Sequence, residues 1–114
     1  MYKFTVFMKR LPSMTQQEFV DYHRNQHAPK FLALPATKKY VRRYVQSHPV
    51  AASILGFRET GFDGLTEIWF DDMASFEALF NDPEYLQRIR PDEASFVDLE
   101  RSEILLMHEN VVIN

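Results

Sequence analysis

The segment Leu65-Thr66-Glu67-Ile68-Trp69-Phe70 has the clearest strand pattern in this 114-residue chain. Alternate side chains of a strand lie on opposite faces of a sheet. One face therefore carries Leu65, Glu67 and Trp69, and the other carries Thr66, Ile68 and Phe70. A carboxylate between a leucine and a tryptophan is unusual. We expect this face to meet the helices, where burial would desolvate the Glu67 carboxylate.

Three more segments have strand character, at residues 2–9, 39–48 and 103–112. The first alternates strictly, with Phe4 and Phe7 on opposite faces. Residues 39–48 are rich in Tyr and Val and end before Pro49. The segment that follows, residues 51–64, contains Gly56, Gly61 and Gly64 and is predicted to be a loop and a candidate lid.

Two helical regions separate the strands. The first begins at a capping box, in which Thr15 is the N-cap and Glu18 is the third helical residue. Pro29 predicts a kink in this helix, and Pro35 predicts its end. Asp72 is the predicted N-cap of the second region. That region is interrupted at residues 81–83 and continues over about residues 84–99.

The element order is therefore β-α-β-β-α-β, which predicts a single α+β domain over residues 1–114 with a ferredoxin-like sandwich fold. Helices cover one face of such a sheet. By parity, Phe7, Ile68 and Phe70 belong to the uncovered face. Because water contact with this apolar surface is unfavourable, we expect a homodimer that forms through the open sheet face.

Composition restricts the classes of partner. The chain has 13 Lys and Arg against 16 Asp and Glu, a net charge of −3, which argues against a nucleic-acid binder. It has no Cys, so thiolate chemistry is excluded. No apolar run approaches the length of about 20 residues that a membrane span needs. The first ten residues do not have the pattern of a signal peptide, so we expect a cytoplasmic location.

Several short motifs, in this order, resemble those of the EthD-like branch of the dimeric α/β-barrel superfamily. They are Phe19-x-x-Tyr22, His27-Ala28-Pro29, Leu34-Pro35, Arg43-Tyr44-Val45 with His48, Asp63-Gly64, Glu67-x-Trp69-Phe70, and Pro91-Asp92-Glu93 with Phe96. The resemblance implies a dimeric barrel with a pocket between sheet and helices in each subunit. It also implies activities that range from ether degradation to decarboxylation, dehydration, cyclisation and lactone isomerisation, with cofactor-free oxygenases and haem-degrading enzymes in the wider superfamily.

Three residues are candidates for catalysis. His27 precedes the expected kink, which would turn its imidazole towards a cavity, where it can exchange protons near neutral pH. The alternative is a buried His27 bonded to a backbone carbonyl. Glu67 is the candidate partner base, or it pairs instead with Arg42 or Arg43. His48 is a second candidate proton donor at a loop edge, or a solvated turn residue.

Six residues are candidates for binding the substrate: Tyr22, His23, Trp69, Phe4, Phe96 and Asp92. The aromatic members would form apolar walls. His23 lies one helical turn before His27, but no third ligand is placed to complete a metal site, so we expect no metal. Asp92 and Glu93 follow Pro91 at a helix start, where acidic residues also complement the helix dipole. His108 is interpreted as structural.

These features favour a cofactor-independent enzyme that moves protons on a small apolar aromatic, polyketide-like or lactone metabolite, as a lyase, dehydratase, decarboxylase, cyclase or isomerase. One alternative is a cofactor-free oxygenase of phenols or anthrones. Another is a binding protein that carries a hydrophobic ligand unchanged. A haem-handling variant with His27 or His48 as axial ligand is weaker. The sequence has no GxGxxG, Walker or GxSxG motif for a nucleotide or a serine nucleophile.

Overall fold

The computed structural model describes residues 1–114, and it confirms the predicted order of strands and helices. Four strands form one antiparallel sheet in the order β2-β3-β1-β4. The strands are β1 (Tyr2–Met8), β2 (Val41–Ser47), β3 (Gly64–Phe70) and β4 (Glu103–His108). The α-helices are α1 (Gln16–Tyr22), α2 (Ala28–Leu32), α3 (Pro35–Tyr40), α4 (Met73–Phe80) and α5 (Arg90–Ala94). None of these helices has both the length and the apolar character that crossing a membrane requires.

Helix α1 begins as predicted. The Thr15 side chain accepts from the Glu18 amide, and the Glu18 carboxylate accepts from the Thr15 amide. The Asp72 side chain likewise caps α4 by accepting from the Ser75 amide. The first helical region ends at Leu32, ahead of Pro35 as predicted, but Pro35 also begins a further helix, α3, that was not predicted. The first position of a helix suits a residue without an N–H. Strand β2 consequently starts at Val41 rather than at residue 39.

The kink predicted at Pro29 takes the form of a π-helical turn at His23–His27, in which the Ala28 N–H bonds to the carbonyl of His23. A second π turn, Tyr85–Ile89, directly precedes Arg90-Pro91 and has the same bond from the Arg90 N–H to the Tyr85 carbonyl. A proline ring collides with the carbonyl four residues before it in a regular helix. The wider turn therefore gives both prolines room, and it divides the predicted 84–99 helix.

The helices pack on the sheet face that carries Phe4, Ile68 and Phe70. These side chains form the main core with six residues from the helical side, namely Phe31, Leu34, Ala36, Leu79, Tyr85 and Ile89. A second, smaller core contains Met8, Phe19, Phe96 and Val97. The prediction that Ile68 and Phe70 lie on the open face is therefore wrong, whereas the parity of Phe7 does place it there, next to Leu65 on β3.

Glu67 and Trp69 consequently lie on the open sheet face, and the prediction that they face the helices is wrong. Burying Ile68 and Phe70 instead removes purely apolar area from water and leaves the Glu67 carboxylate a charged partner. That partner is Lys3, whose Nζ lies 2.7 Å from Glu67 Oε2, and not Arg42 or Arg43. The Trp69 indole donates to Glu109 at 2.7 Å and lies between the cations of Lys3 and Arg43.

Candidate functional site

A cavity of about 320 Å³ lies between the helix-facing side of the sheet and the helices. Most of its wall is apolar, with aromatic rings from β1, α2 and α4. A few polar side chains interrupt that wall: His27, Tyr44, Thr66, Tyr85, Arg90 and Glu93. An enclosed apolar space with a few convergent polar groups is typical of a small-molecule site. The 51–64 loop contributes no side chain to this wall, so its role as a lid stays a prediction.

His27 reaches the cavity from the last position of the first π turn, where it is 5% exposed. Its Nδ1 lies 2.8 Å from Oδ2 of Asp92, the residue after Pro91. The partner of the His27 ring is thus a carboxylate, and the alternative of a bond to a backbone carbonyl is wrong. The imidazole also packs against the ring of Phe96, with the two centroids 5.0 Å apart.

The two members of this pair, Asp92 and His27, differ in charge at neutral pH. Burial raises the pKa of Asp92, but bonds from Tyr22, Lys30 and His27 outweigh that effect and leave it below its ordinary value. Burial lowers the pKa of His27, and the opposing attraction of Asp92 does not restore it. At neutral pH, Asp92 is therefore an anion that only accepts, and His27 is a neutral imidazole. Its proton must lie on Nδ1, which leaves the Nε2 lone pair free.

This free nitrogen is accessible to a ligand. Nε2 of His27 has no hydrogen-bond partner. It is not fully buried either, because Thr5 Oγ1 is the one fully buried side-chain nitrogen or oxygen that lacks a partner. A neutral imidazole with one nitrogen held by a carboxylate and the other free is the arrangement of a general base.

Glu93 is the second titratable group on the cavity wall. Both of its carboxylate oxygens accept from the Tyr85 hydroxyl, at 3.0 and 2.9 Å, and Arg90 Nε lies 3.1 Å from Oε1. Burial raises the pKa of Glu93 to about 6, although Tyr85 and Arg90 act in the opposite direction. The carboxyl is therefore a group that can release a proton near neutral pH.

Tyr44 supplies a hydroxyl donor to the same cavity. Its oxygen accepts from the side chain of Gln46 at 2.9 Å, so its own proton remains available to a ligand. Burial raises the pKa of Tyr44 to about 12, and the nearby Glu93 carboxylate contributes to this shift. The phenol consequently stays protonated over the whole physiological range.

A chain of side-chain contacts links the protein surface to the cavity wall. His48 Nε2 lies 2.9 Å from His23 Nδ1, and His23 Nε2 lies 2.9 Å from the hydroxyl of Thr66. The Thr66 hydroxyl also donates to the sulfur of Met8 at 3.2 Å. Because that bond uses the Thr66 proton, the hydroxyl accepts from His23 Nε2–H, and His23 Nδ1 accepts from His48.

His23 is fully buried, and burial, together with the neighbouring His48 and His27, lowers its pKa to about 3. It therefore stays neutral and keeps its two partners. His48 is part of this chain and is not a solvated turn residue. Neither His23 nor His48 lines the cavity, so the structure does not place His23 where we expected it to bind a substrate.

The other predicted site residues lie in three different places in the fold. His27 and Phe4 line the cavity. Tyr22, Asp92 and Phe96 lie behind His27, where Tyr22 donates to Asp92 and its ring packs on Phe96 with centroids 4.9 Å apart. Glu67 and Trp69 lie on the opposite face of the sheet, so the prediction that they share a site with His27 is wrong.

Sequence reasoning missed five polar residues of the cavity wall: Tyr44, Thr66, Tyr85, Arg90 and Glu93. Tyr44 and Glu93 do belong to the motifs quoted above, but Tyr44 was interpreted only as a strand residue, and Glu93 mainly as an acid that complements a helix dipole. Thr66 was assigned to the wrong face of β3. No group of three or more His, Cys, Asp or Glu side chains is arranged to hold a metal ion.

Comparison with known proteins gives the family and the fold. The sequence model of the EthD domain matches residues 11–100. A protein named dehydratase aurZ, from Gibberella zeae, is 22% identical over 120 residues, which cover 96% of this chain and 78% of that protein.

Three solved structures have the same fold at low identity. An EthD family protein of Bacillus halodurans has a TM-score of 0.71 at 20% identity and covers 96% of this chain and 99% of its own. The hydroxynitrile lyase of Passiflora edulis has a TM-score of 0.71 at 16% identity, with 99% and 96% covered. A dimeric ferredoxin-like protein of Thermobifida fusca has a TM-score of 0.65 at 14% identity, with 95% and 90% covered. The expected ferredoxin-like fold is confirmed, and since the family match spans most of the sequence, this chain belongs to the EthD domain family.

Proposed function

We propose that this protein is a lyase of the dehydratase type, acting without a cofactor on a small, largely apolar β-hydroxy carbonyl compound. The observation that carries the proposal is the buried pair of His27 and Asp92, with the free Nε2 of His27 at the wall of an apolar cavity. Burial lowers the pKa of His27 and raises that of Glu93 to about 6, so both groups can exchange protons near neutral pH, as a base and an acid must.

The reaction follows from these positions. His27 Nε2 takes a proton from the carbon next to the substrate carbonyl, and the Asp92 carboxylate stabilises the imidazolium that forms. The Tyr44 hydroxyl donates to the carbonyl oxygen, where negative charge develops. Protonated Glu93 gives its proton to the hydroxyl on the next carbon. The C–O bond breaks, water leaves and a carbon–carbon double bond forms. Positioned acids and bases of this kind each contribute roughly 10²- to 10⁴-fold in rate.

Two comparisons support an elimination. The Gibberella zeae relative is named a dehydratase, and the Passiflora edulis protein with the same fold is named a lyase. The cavity supports an apolar substrate, because most of its lining residues are hydrophobic and aromatic. A volume of about 320 Å³ suits a compound with one or two rings.

A panel of β-hydroxy ketones and lactones with one or two aromatic rings tests the proposal, with water elimination followed by ultraviolet absorbance and mass spectrometry. We expect His27→Ala, Asp92→Asn and Glu93→Gln each to lower kcat by at least 100-fold, with His108→Ala as the matched control on an exposed histidine. Full turnover by His27→Ala would contradict the assignment. Oxygen consumption in place of elimination would identify an oxygenase, and tight binding without a product would identify a carrier.

We infer in addition that two copies pair through the open sheet face. Leu105 and Thr5 are cross-strand neighbours on this face, and Leu105 is 50% exposed. The Thermobifida fusca protein with this fold is described as dimeric.

Sedimentation equilibrium tests the dimer. Leu105→Arg should yield a monomer at micromolar concentration, whereas Leu86→Arg, at a leucine of similar exposure on the helical side, should not. A monomeric wild-type protein would contradict this inference and leave the chemistry of the cavity untouched.

A further inference from the structure

Asp92 has more hydrogen-bond donors than its contact with His27 requires. One carboxylate oxygen accepts from His27, and the other accepts from the Tyr22 hydroxyl and from Lys30 Nζ, the latter at 2.9 Å. Lys30 Nζ also lies 3.3 Å from the Tyr22 oxygen and 5.6 Å from the centroid of its ring. Tyr22 ends α1 and Lys30 belongs to α2, so the two residues flank the π turn that carries His27.

Neither donor belongs to the cavity. The Lys30 side chain is 50% exposed, and neither Lys30 nor Tyr22 lines the cavity wall. Asp92 separates them from the His27 imidazole. Their contacts therefore reach the imidazole only through the carboxylate or through space.

We propose that Lys30 and Tyr22 are positioning residues, which fix the orientation and charge of Asp92 from the solvent side and thereby set the proton affinity of His27 without touching the substrate. The proposal rests on the proposed function for its catalytic meaning, because it assumes that His27 is the base. The effect of Lys30 on the proton affinity of His27, however, is a property of the protein without substrate and can be measured separately.

The charges around His27 give the direction of the effect. Asp92 attracts a proton to the imidazole, and the Lys30 cation opposes it. His23, whose ring centroid is 6.2 Å away, is neutral and fully buried, and Tyr22 bears no charge. Glu93 and Arg90 line the same cavity and are paired with each other. Lys30 is thus the cation that opposes a proton on His27, and it shares Asp92 with that imidazole.

This arrangement resolves a conflict between two requirements of the base. Asp92 must stay ionised to hold Nδ1–H and to stabilise the imidazolium during the reaction. The same anion raises the proton affinity of His27, against the lowering that burial causes. Lys30 keeps the carboxylate ionised and at the same time disfavours a proton on His27, so a neutral base is available.

The test is a titration of the His27 ring by NMR in the full-length protein, which needs no substrate. Lys30→Met removes the opposing cation, so the pKa of His27 should rise by roughly half a unit to one unit, a three- to tenfold gain in proton affinity. Lys30→Arg should restore the wild-type value. Lys39→Met is the matched control, because Lys39 lies over the ring of Tyr40, away from the pair.

Kinetics supply a second readout. In an active enzyme the acid limb of kcat/KM should move to higher pH in Lys30→Met by the same amount, and Tyr22→Phe should lower kcat with little change in KM. An unchanged or lowered pKa of His27 in Lys30→Met overturns the proposal. If the titration moves as expected but no dehydration is found, the electrostatic role stands and only the proposed reaction fails.

Discussion

His48 Nε2 approaches His23 Nδ1 to 2.9 Å, and this contact joins the end of β2 to the first π turn inside the protein. One of the two imidazoles is half-buried and the other is completely buried. The pair cannot hold two protonated rings, because two imidazolium ions at this distance would repel each other in a weakly polarisable interior. Stability should therefore depend on pH.

The free energy of unfolding should fall as the pH falls from 6.5 towards 3. Over that range the unfolded chain protonates His23 at its ordinary pKa of 6.5, whereas the folded chain does not until about pH 3. The unfolded state then binds more protons, so stability decreases with a slope of up to about 1.4 kcal/mol per pH unit from this residue. His27, whose pKa burial also lowers, acts in the same direction.

Glu93 should oppose that decline between pH 6 and 4.5. Its pKa is about 6 when folded and 4.5 ordinarily, so in this range the folded state binds the extra proton. Its contribution is present at low pH and is lost as the pH rises to 6. Urea denaturation at several pH values should therefore show a steeper loss of stability below pH 6 in Glu93→Gln than in wild type. His108→Gln should follow the wild-type curve.

The pH–rate profile of kcat/KM should be bell-shaped. Activity needs neutral His27, so its acid limb should lie below the ordinary imidazole range, because burial lowers that pKa. Activity also needs protonated Glu93, so it should decline above about pH 6, the pKa that burial gives this carboxyl. In Glu93→Gln the alkaline limb should disappear along with most of the rate. A wild-type profile that rises steadily up to pH 9 would rule out Glu93 as the acid.

Gly64→Ala should destabilise the fold and disturb the histidine pair. A Cβ at this position would lie 3.0 Å from Cε1 of Phe19 and 3.2 Å from Cδ2 of His48. Overpacking of this kind typically costs about 1–3 kcal/mol. Gly61→Ala is the matched control, since its nearest contact would be the flexible Lys9 Nζ at 3.6 Å. Equal denaturation midpoints for the two variants would show that His48 is not confined as described.

Glu67→Gln should leave turnover unchanged. Glu67 faces away from the cavity and its partner is Lys3, at 2.7 Å. The pair is partly exposed, with side-chain exposures of 23% and 20%, so its loss should change stability by less than about 1 kcal/mol. A drop in kcat of tenfold or more would mean that the open face takes part in catalysis.

The element order could be predicted because each signal was local. Alternation along β1, the Thr15 and Glu18 capping box, and the Asp72 N-cap all depend on neighbours a few residues apart. The proline at position 29 predicted a kink for the same reason. The form of that kink, and the short helix that begins at Pro35, depend on how the helices meet the sheet.

The choice of face for β3 could not be made locally. Both faces of this strand carry large apolar side chains, Trp69 on one and Ile68 with Phe70 on the other. The decision comes from partners that are distant in sequence: the cross-strand neighbour of Ile68 is Phe4, and the neighbour of Trp69 is Lys3. Phe4 extends an apolar layer, whereas Lys3 needs water or an anion.

The catalytic candidates, too, could be predicted only where the signal was local in sequence. His27 was identified from its own surroundings, next to a predicted break in a helix. Its partnership with Asp92 spans 65 positions of sequence and brings together two helical segments, so only the folded chain reveals it. Glu93 was set aside because acids that follow a proline have an ordinary use at helix starts.

The two π turns also determine where the chain can lose a residue. Each turn holds one backbone residue more than a regular helix would need over the same stretch. Deleting Asn25, and replacing Pro29 so that an ordinary helix can form, would therefore let a regular helix span the stretch and leave the helical segments on either side in their present register. The same deletion inside α4, which has no such extra residue, would rotate one side of the helix by about 100° relative to the other, so an in-frame loss of one codon should do far more damage there.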